Sequence, residues 1–100
     1  MLQLKVFPNP TCKYATVELP EYLVTATKGH GVSQMQYRPL KGEVQLSLIN
    51  LSGQIVKTDI VDASERNRVI DVSRLSSGIY MVQLTQRGKV IASGKVIVAK

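Results

Sequence analysis

Apolar and polar residues alternate with a period of two along most of this chain, in short runs separated by turn-forming residues. Leu2, Leu4 and Val6 alternate with Gln3 and Lys5 until Pro8-Asn9-Pro10 stops the run, because neither proline can donate to a strand ladder. Ala15, Val17 and Leu19 alternate with Thr16 and Glu18, and Val44, Leu46 and Leu48 alternate with Gln45 and Ser47. Asn50-Leu51-Ser52-Gly53 reads as a turn in which Gly53 is free to take positive φ. Gln54 to Val61 reads as the next strand, Asp62 to Asn67 as a polar loop and Val69 to Val72 as a short strand. Ile79 to Thr85 then joins Val90 to Val98 through the hairpin turn Gln86-Arg87-Gly88-Lys89. No segment pairs helix caps with a 3.6-residue period. Turn signals at roughly 8–12-residue spacing indicate about seven short strands in two packed antiparallel sheets. Tyr80, Val82 and Leu84 are expected in the core with Val44, Leu46, Leu48, Ile70, Val72 and Leu75, since a one-residue slip would turn that whole set to water.

The run Leu75-Ser76-Ser77-Gly78 places a loop and a glycine two residues ahead of Tyr80, at the mouth of a strand. This order matches the tyrosine corner of immunoglobulin-like sandwiches, in which the phenol bonds back to upstream backbone. The expected fold is therefore all-β, an immunoglobulin-like antiparallel β-sandwich, with Gly78 supplying a tight turn. Residues 20–42 fit that pattern least well. They read either as an inserted hairpin, Tyr22 to Thr27 paired with Val32 to Tyr37 across Gly29-His30-Gly31, or as a mobile loop serving as a recognition surface.

A chain of 100 residues is one domain able to bury a modest core. The single Cys12 forms no internal disulfide and leaves the compartment open. No stretch reaches the roughly 18 consecutive apolar residues of a spanning helix, so no membrane insertion is expected. Met1-Leu2-Gln3-Leu4-Lys5 lacks the basic region and apolar core of a signal peptide, so if the protein is exported that signal lies elsewhere. The net charge of +6, from thirteen Lys and Arg against seven Asp and Glu, raises the question of nucleic acid. Yet the basic residues are scattered singly, with only Arg66 and Arg68 close neighbours, and no aromatic platforms accompany them. No nucleic-acid partner is expected, and isolated lysines along strands are better read as guards against edge-to-edge pairing.

Candidate chemistry is sparse. His30 is the one histidine and Cys12 the one cysteine, two ligands where a structural zinc needs four, so no metal or cofactor is expected. Cys12 and His30 could form a nucleophile and its base, but nothing else in the chain supports that pair. Glu18, Glu21, Glu43, Asp59, Asp62, Glu65 and Asp71 are dispersed, with no cleft to bring two of them together for acid-base work. Asn50-Leu51-Ser52 matches the N-glycosylation triplet, although Asn50 is accounted for as the residue that starts a turn. The chain does not read as an enzyme.

Four stretches carry a family resemblance: Val6-Phe7-Pro8-Asn9-Pro10, Leu48 to Val56 including Gly53, Ile70 to Val82 including Gly78 and Tyr80, and Gly94 to Val98 with Lys100. In this order and spacing the chain resembles the type A C-terminal sorting domain of the type IX secretion system, from end to end except for residues 20–42. The resemblance implies a non-catalytic secretion signal that directs an attached N-terminal cargo domain across the outer membrane. The implied partners are the type IX translocon, outer-membrane shuttle proteins and a sortase-like surface peptidase that removes the domain and attaches the cargo to the surface. The implied location is the periplasm in transit, then the cell surface or the extracellular space. By the same resemblance Pro8, Asn9 and Pro10 match the opening motif, Gly78 and Tyr80 the glycine-tyrosine motif, and Gly94 to Lys100 the terminal stretch. The first five, with Gly53, are expected to shape the fold. Gly94, Lys95, Val96, Ile97, Val98, Ala99 and Lys100 are expected to be read by the translocation machinery, because a terminal edge strand would offer unpaired backbone groups for β-augmentation. The rival reading is a generic immunoglobulin-like or fibronectin-like adhesion or carbohydrate-binding module of a surface protein.

Overall fold

The period-two runs become ten strands in the computed structural model, which describes residues 2–29 and 32–100. In chain order they are β1 (Leu2–Gln3), β2 (Lys5–Phe7), β3 (Tyr14–Glu18), β4 (Tyr22–Gly29), β5 (Val32–Pro39), β6 (Glu43–Ile49), β7 (Ile55–Asp62), β8 (Asn67–Asp71), β9 (Gly78–Gln86) and β10 (Lys89–Val98). A five-stranded sheet in the order β1-β10-β9-β6-β7 and a three-stranded sheet in the order β2-β3-β8 give an all-β, two-sheet arrangement consistent with a β-sandwich. β4 and β5 pair only with each other, in register from Tyr22 opposite Pro39 to Gly29 opposite Val32. The base of that hairpin is closed by the Leu40 N–H donating to the Glu21 carbonyl at 2.9 Å. The expected glycine turn at His30 and Gly31 lies outside the described residues.

The alternation read from the sequence is the alternation of burial. Val44, Leu46 and Leu48 on β6 and Tyr80, Val82 and Leu84 on β9 point inward from the larger sheet, with Ala92, Val96 and Val98 on β10. Ala15, Val17, Ile70 and Val72 meet them from the smaller sheet, and Leu75 packs partly buried against this core. The β7–β8 side is closed by charge instead of hydrocarbon, with Arg68 Nε 4.0 Å from Asp59 and its Nη1 3.3 Å from Glu65. Charged groups at such an edge oppose pairing with foreign strands.

Two expectations are corrected. The run Leu2 to Val6 is two strands, since β1 joins the five-stranded sheet and β2 the three-stranded sheet. Leu4 is the crossing point, with its side chain buried and its N–H donating to the Ser93 carbonyl at 2.7 Å. Alternation reports which residues face the core and is blind to which sheet supplies the strand. The sheets are also not wholly antiparallel: β1 runs parallel to β10, with Leu2 opposite Ala92 and Gln3 opposite Ser93.

Turns follow their residue chemistry. Arg87 and Gly88 have φ of 54° and 77°, the positive pair of a type I′ hairpin turn. Gly53 has φ of 86°, as expected, and the Asn50 side chain organises that turn by accepting from the N–H groups of Ser52 and Gln54 at 3.0 and 2.9 Å. Two loops open on Asp-x-Ser. Asp62 Oδ1 accepts the Ser64 N–H at 2.8 Å, and Asp71 Oδ1 accepts the Ser73 N–H and hydroxyl at 2.9 and 2.6 Å.

These bonds favour the charged carboxylates. The Ser64 backbone donor holds the Asp62 carboxyl below the usual range, and the Ser73 hydroxyl, then its N–H, does the same for Asp71, with Lys57 and Arg74 adding attraction. The unfolded chain therefore takes up protons first as the solution is acidified. The resulting stability is present above the ordinary aspartate value and is lost as pH falls from about 4 through the lowered folded values. Urea unfolding midpoints measured from neutral pH into this acid range should fall less steeply for a double variant Asp62→Asn, Asp71→Asn than for the unaltered chain. Identical slopes would show that the two turns do not discriminate between the protonation states.

Candidate functional site

The residues of three motif stretches meet along one line, the outer edge of β10. β1 covers that edge only at Ala92 and Ser93. Beyond Leu4 the chain continues past it through Pro8 and Pro10, both preceded by cis peptide bonds and both without an N–H. The side chain of Asn9 bridges the gap. Its Nδ2 donates to the Lys95 carbonyl at 2.8 Å, and its Oδ1 accepts the Ile97 N–H at 2.7 Å. Thr11 takes the next position with its backbone, its N–H donating to Ile97 O and its carbonyl accepting the Ala99 N–H, both at 2.9 Å. Thr11 is itself held down by its hydroxyl, which donates to the Tyr14 carbonyl.

Lys100 closes the far end. Its Nζ donates to the carbonyls of Ser73, Cys12 and Val72 at 2.7, 2.8 and 3.2 Å, using all three ammonium donors on main chain. Its backbone N–H donates to Ser77 Oγ at 3.0 Å. The terminal residues thus tie the β2–β3 connection to the loop ahead of β9.

The expectation that this strand offers open backbone groups is therefore corrected. Lys95 O, Ile97 N–H, Ile97 O and Ala99 N–H already have partners inside the chain. The sequence hid this because the covering residues lie some 86–88 positions away and the decisive bonds come from a side chain. Two prolines flanking an asparagine were the available signal: where backbone donors are missing, an amide carries a donor and an acceptor on separate atoms of one planar group, as a peptide unit does.

Side chains within Gly94 to Lys100 divide by face. Val96 and Val98 are buried, and Gly94 lies against the crossing segment, where an added Cβ would stand 2.8 Å from Leu4 O and 3.1 Å from Leu4 Cβ. Lys95 and Ile97 face outward, opposite Met81 and Ile79 in the register of β9. Met81, Ile79 and the neighbouring Ile55 are exposed, and Ile49 sits between Ile55 and Met81. This is an apolar cluster with one lysine, on the outer face of the five-stranded sheet.

Tyr80 forms the expected corner. Its ring is buried and its hydroxyl donates to the Ser76 carbonyl at 2.7 Å. Gly78 does not form the expected tight turn. It begins β9 opposite Val98 without positive φ, and a Cβ there would make only an ordinary 3.9 Å contact with the Tyr80 ring. Gly53 stands apart, in the turn between β6 and β7.

Among the described residues no group of three or more His, Cys, Asp or Glu side chains could hold a metal. Cys12 is exposed as a free thiol, and His30, its suggested partner, lies outside the described residues. A shallow groove on the outer sheet face, lined in part by Glu43, Gln45, Ile49, Ile55, Gln83 and Arg87, takes Ile49 and Ile55 from the Leu48 to Val56 stretch and contains none of Pro8, Asn9, Pro10, Gly78, Tyr80 or Gly94 to Lys100. No helix among the described residues is long and apolar enough to cross a membrane. The distinguishing construction among the described residues is the sealed terminal edge.

No curated protein matches the chain. The family model of the secretion system C-terminal sorting domain matches residues 5–99, a span that holds the Pro8-Asn9-Pro10 segment, the tyrosine corner and the terminal strand together. The chain belongs to the secretion system C-terminal sorting domain family.

Proposed function

We propose that this domain is an immunoglobulin-like address that carries an attached cargo through the type IX translocon, by way of outer-membrane shuttle proteins, to the cell surface. A sortase-like surface peptidase then separates it from the cargo, so the domain is a substrate of that enzyme. The family match over residues 5–99 is the observation that carries this reading. The sealed β10 edge redirects where recognition takes place. With its backbone occupied, the segment Gly94 to Lys100 presents Lys95 and Ile97 as its outward side chains on the sheet face, beside Met81 and Ile79. Recognition is then of a folded face and not of strand addition at that edge.

The test fuses the domain to the C-terminus of a periplasm-targeted reporter in a host that has the type IX machinery. Deleting Lys95 to Lys100 is a poor test, because it also removes Val96 and Val98 from the core. Lys95→Glu with Ile97→Asp changes the outer face while sparing the buried positions, and circular dichroism checks that the variant stays folded. The unaltered domain should bring the reporter to the surface, and the folded double variant should retain it in the periplasm. Undiminished export of the double variant rules out this face, and no export with the unaltered domain rules out the sorting function.

A further inference from the structure

Thr11 and Asn9 make the same pattern of bonds on β10, two residues apart. Thr11 uses backbone: its N–H donates to Ile97 O and its carbonyl accepts from Ala99 N–H. Asn9 uses its side chain: Nδ2 donates to Lys95 O and Oδ1 accepts from Ile97 N–H. That is the donor-and-acceptor spacing of a parallel ladder, reproduced by a carboxamide where Pro8 and Pro10 remove the backbone alternative. Nδ2 also lies 3.4 Å from the Val6 carbonyl, so the amide is anchored to its own segment. Between Leu4 and Thr11 it is Asn9 whose two bonds reach from the segment to the terminal strand. A slip of two residues would preserve every inward and outward face, so alternation alone cannot hold the register.

We propose that Asn9 is a positioning residue, a surrogate backbone rung that fixes the register of the proline segment against the terminal strand and so holds the edge closed beside Lys95 and Ile97, where the export machinery engages the domain. The export half of this proposal rests on the sorting function proposed above. The rung needs a donor and an acceptor on one planar group. An ionised carboxylate keeps the acceptor but turns an oxygen toward Lys95 O, whereas a protonated carboxyl restores both roles.

The experiment compares the unaltered domain with Asn9→Asp and Asn9→Ala. At neutral pH both variants should melt several degrees lower than the unaltered domain. For Asn9→Asp the gap should narrow as pH falls toward about 4, because the oxygen facing Lys95 O makes the folded-state carboxyl take up its proton above the ordinary aspartate value. For Asn9→Ala it should not. The charged groups around the site are Lys5 on β2, Glu18 opposite it on β3, Lys13 in the following turn, and Lys95 and Lys100. They are common to all three proteins, as are Asp62 and Asp71, so their titration cancels in the difference. The Ile97 amide should exchange with solvent about tenfold faster in Asn9→Ala and stay protected in Asn9→Asp, which retains the acceptor. Reporter export at neutral pH should drop several-fold for folded Asn9→Asp. An Asn9→Asp gap that does not change with pH, or an Ile97 amide indifferent to Asn9→Ala, overturns the surrogate rung. Full export of folded Asn9→Asp alongside a working unaltered domain overturns its link to export, and failure of the unaltered domain overturns the sorting function and that link together.

Discussion

Replacing Tyr80 with alanine should destabilise the domain by about 3–5 kcal/mol, the range for emptying an aromatic site in a packed core. Tyr80 is only 7% exposed and stands on β9 between strands β6 and β10, so neighbouring elements can collapse into the space only partially. For a domain near 100 residues this is a melting temperature well over 10 °C lower, and a large share of a total stability of about 5–15 kcal/mol. Tyr80→Phe separates the ring from its hydroxyl. It keeps the packing and removes the donor to Ser76 O, a 2.7 Å bond, and should cost about 1 kcal/mol. The comparison is made by chemical denaturation of both variants. If Tyr80→Phe is as stable as the unaltered chain, the corner bond is exchanged for water without cost and the ring alone accounts for the tyrosine.

The second large effect concerns two glycines whose sequence contexts look alike and whose structural roles differ in sign. Gly94→Ala puts a Cβ 2.8 Å from a backbone oxygen, Leu4 O, which cannot rotate away as a side-chain tip would. Either β10 or the crossing segment must shift, and overpacking of this kind costs about 1–3 kcal/mol. Gly78→Ala meets nothing closer than 3.9 Å and has no positive φ to relieve, so the smaller entropy of the unfolded chain should stabilise it by about 0.4–1 kcal/mol. Equilibrium unfolding of the two variants should move in opposite directions. A destabilising Gly78→Ala would mean that its conformation, and not only its place beside Tyr80, requires glycine.

The contrast between these glycines shows how far sequence reading reached. Positions that face the core were legible because strand burial has a strict period, and all nine residues expected inside are buried or, for Leu75, partly so. The hydroxyl bond of Tyr80 was legible because loop, glycine, tyrosine and strand follow one another locally. What could not be read depends on where distant segments touch. Gly94 carries no local mark of Leu4 crossing over it, and nothing near Lys100 indicates that its ammonium will find the carbonyls of Cys12, Val72 and Ser73. The motif residues could therefore be picked out by resemblance, while the sealing of the terminal edge that they perform required coordinates.

That seal also bears on the order in which the domain forms. The bonds from Asn9 to Lys95 and Ile97, and from Lys100 to Cys12, join residues separated by 86–88 positions. Ring closures of that length pay nearly the whole loop entropy of the chain before any contact repays it, so they are expected late in folding, after the local hairpins β6–β7 and β9–β10. During synthesis β1, Leu4, Asn9 and Thr11 wait for their partners until β10 has left the ribosome, whereas β2 already has β3 to pair with. A domain built this way keeps β1 and the Asn9-to-Thr11 segment unpaired for longest, and a late act of its folding is to lay them along β10.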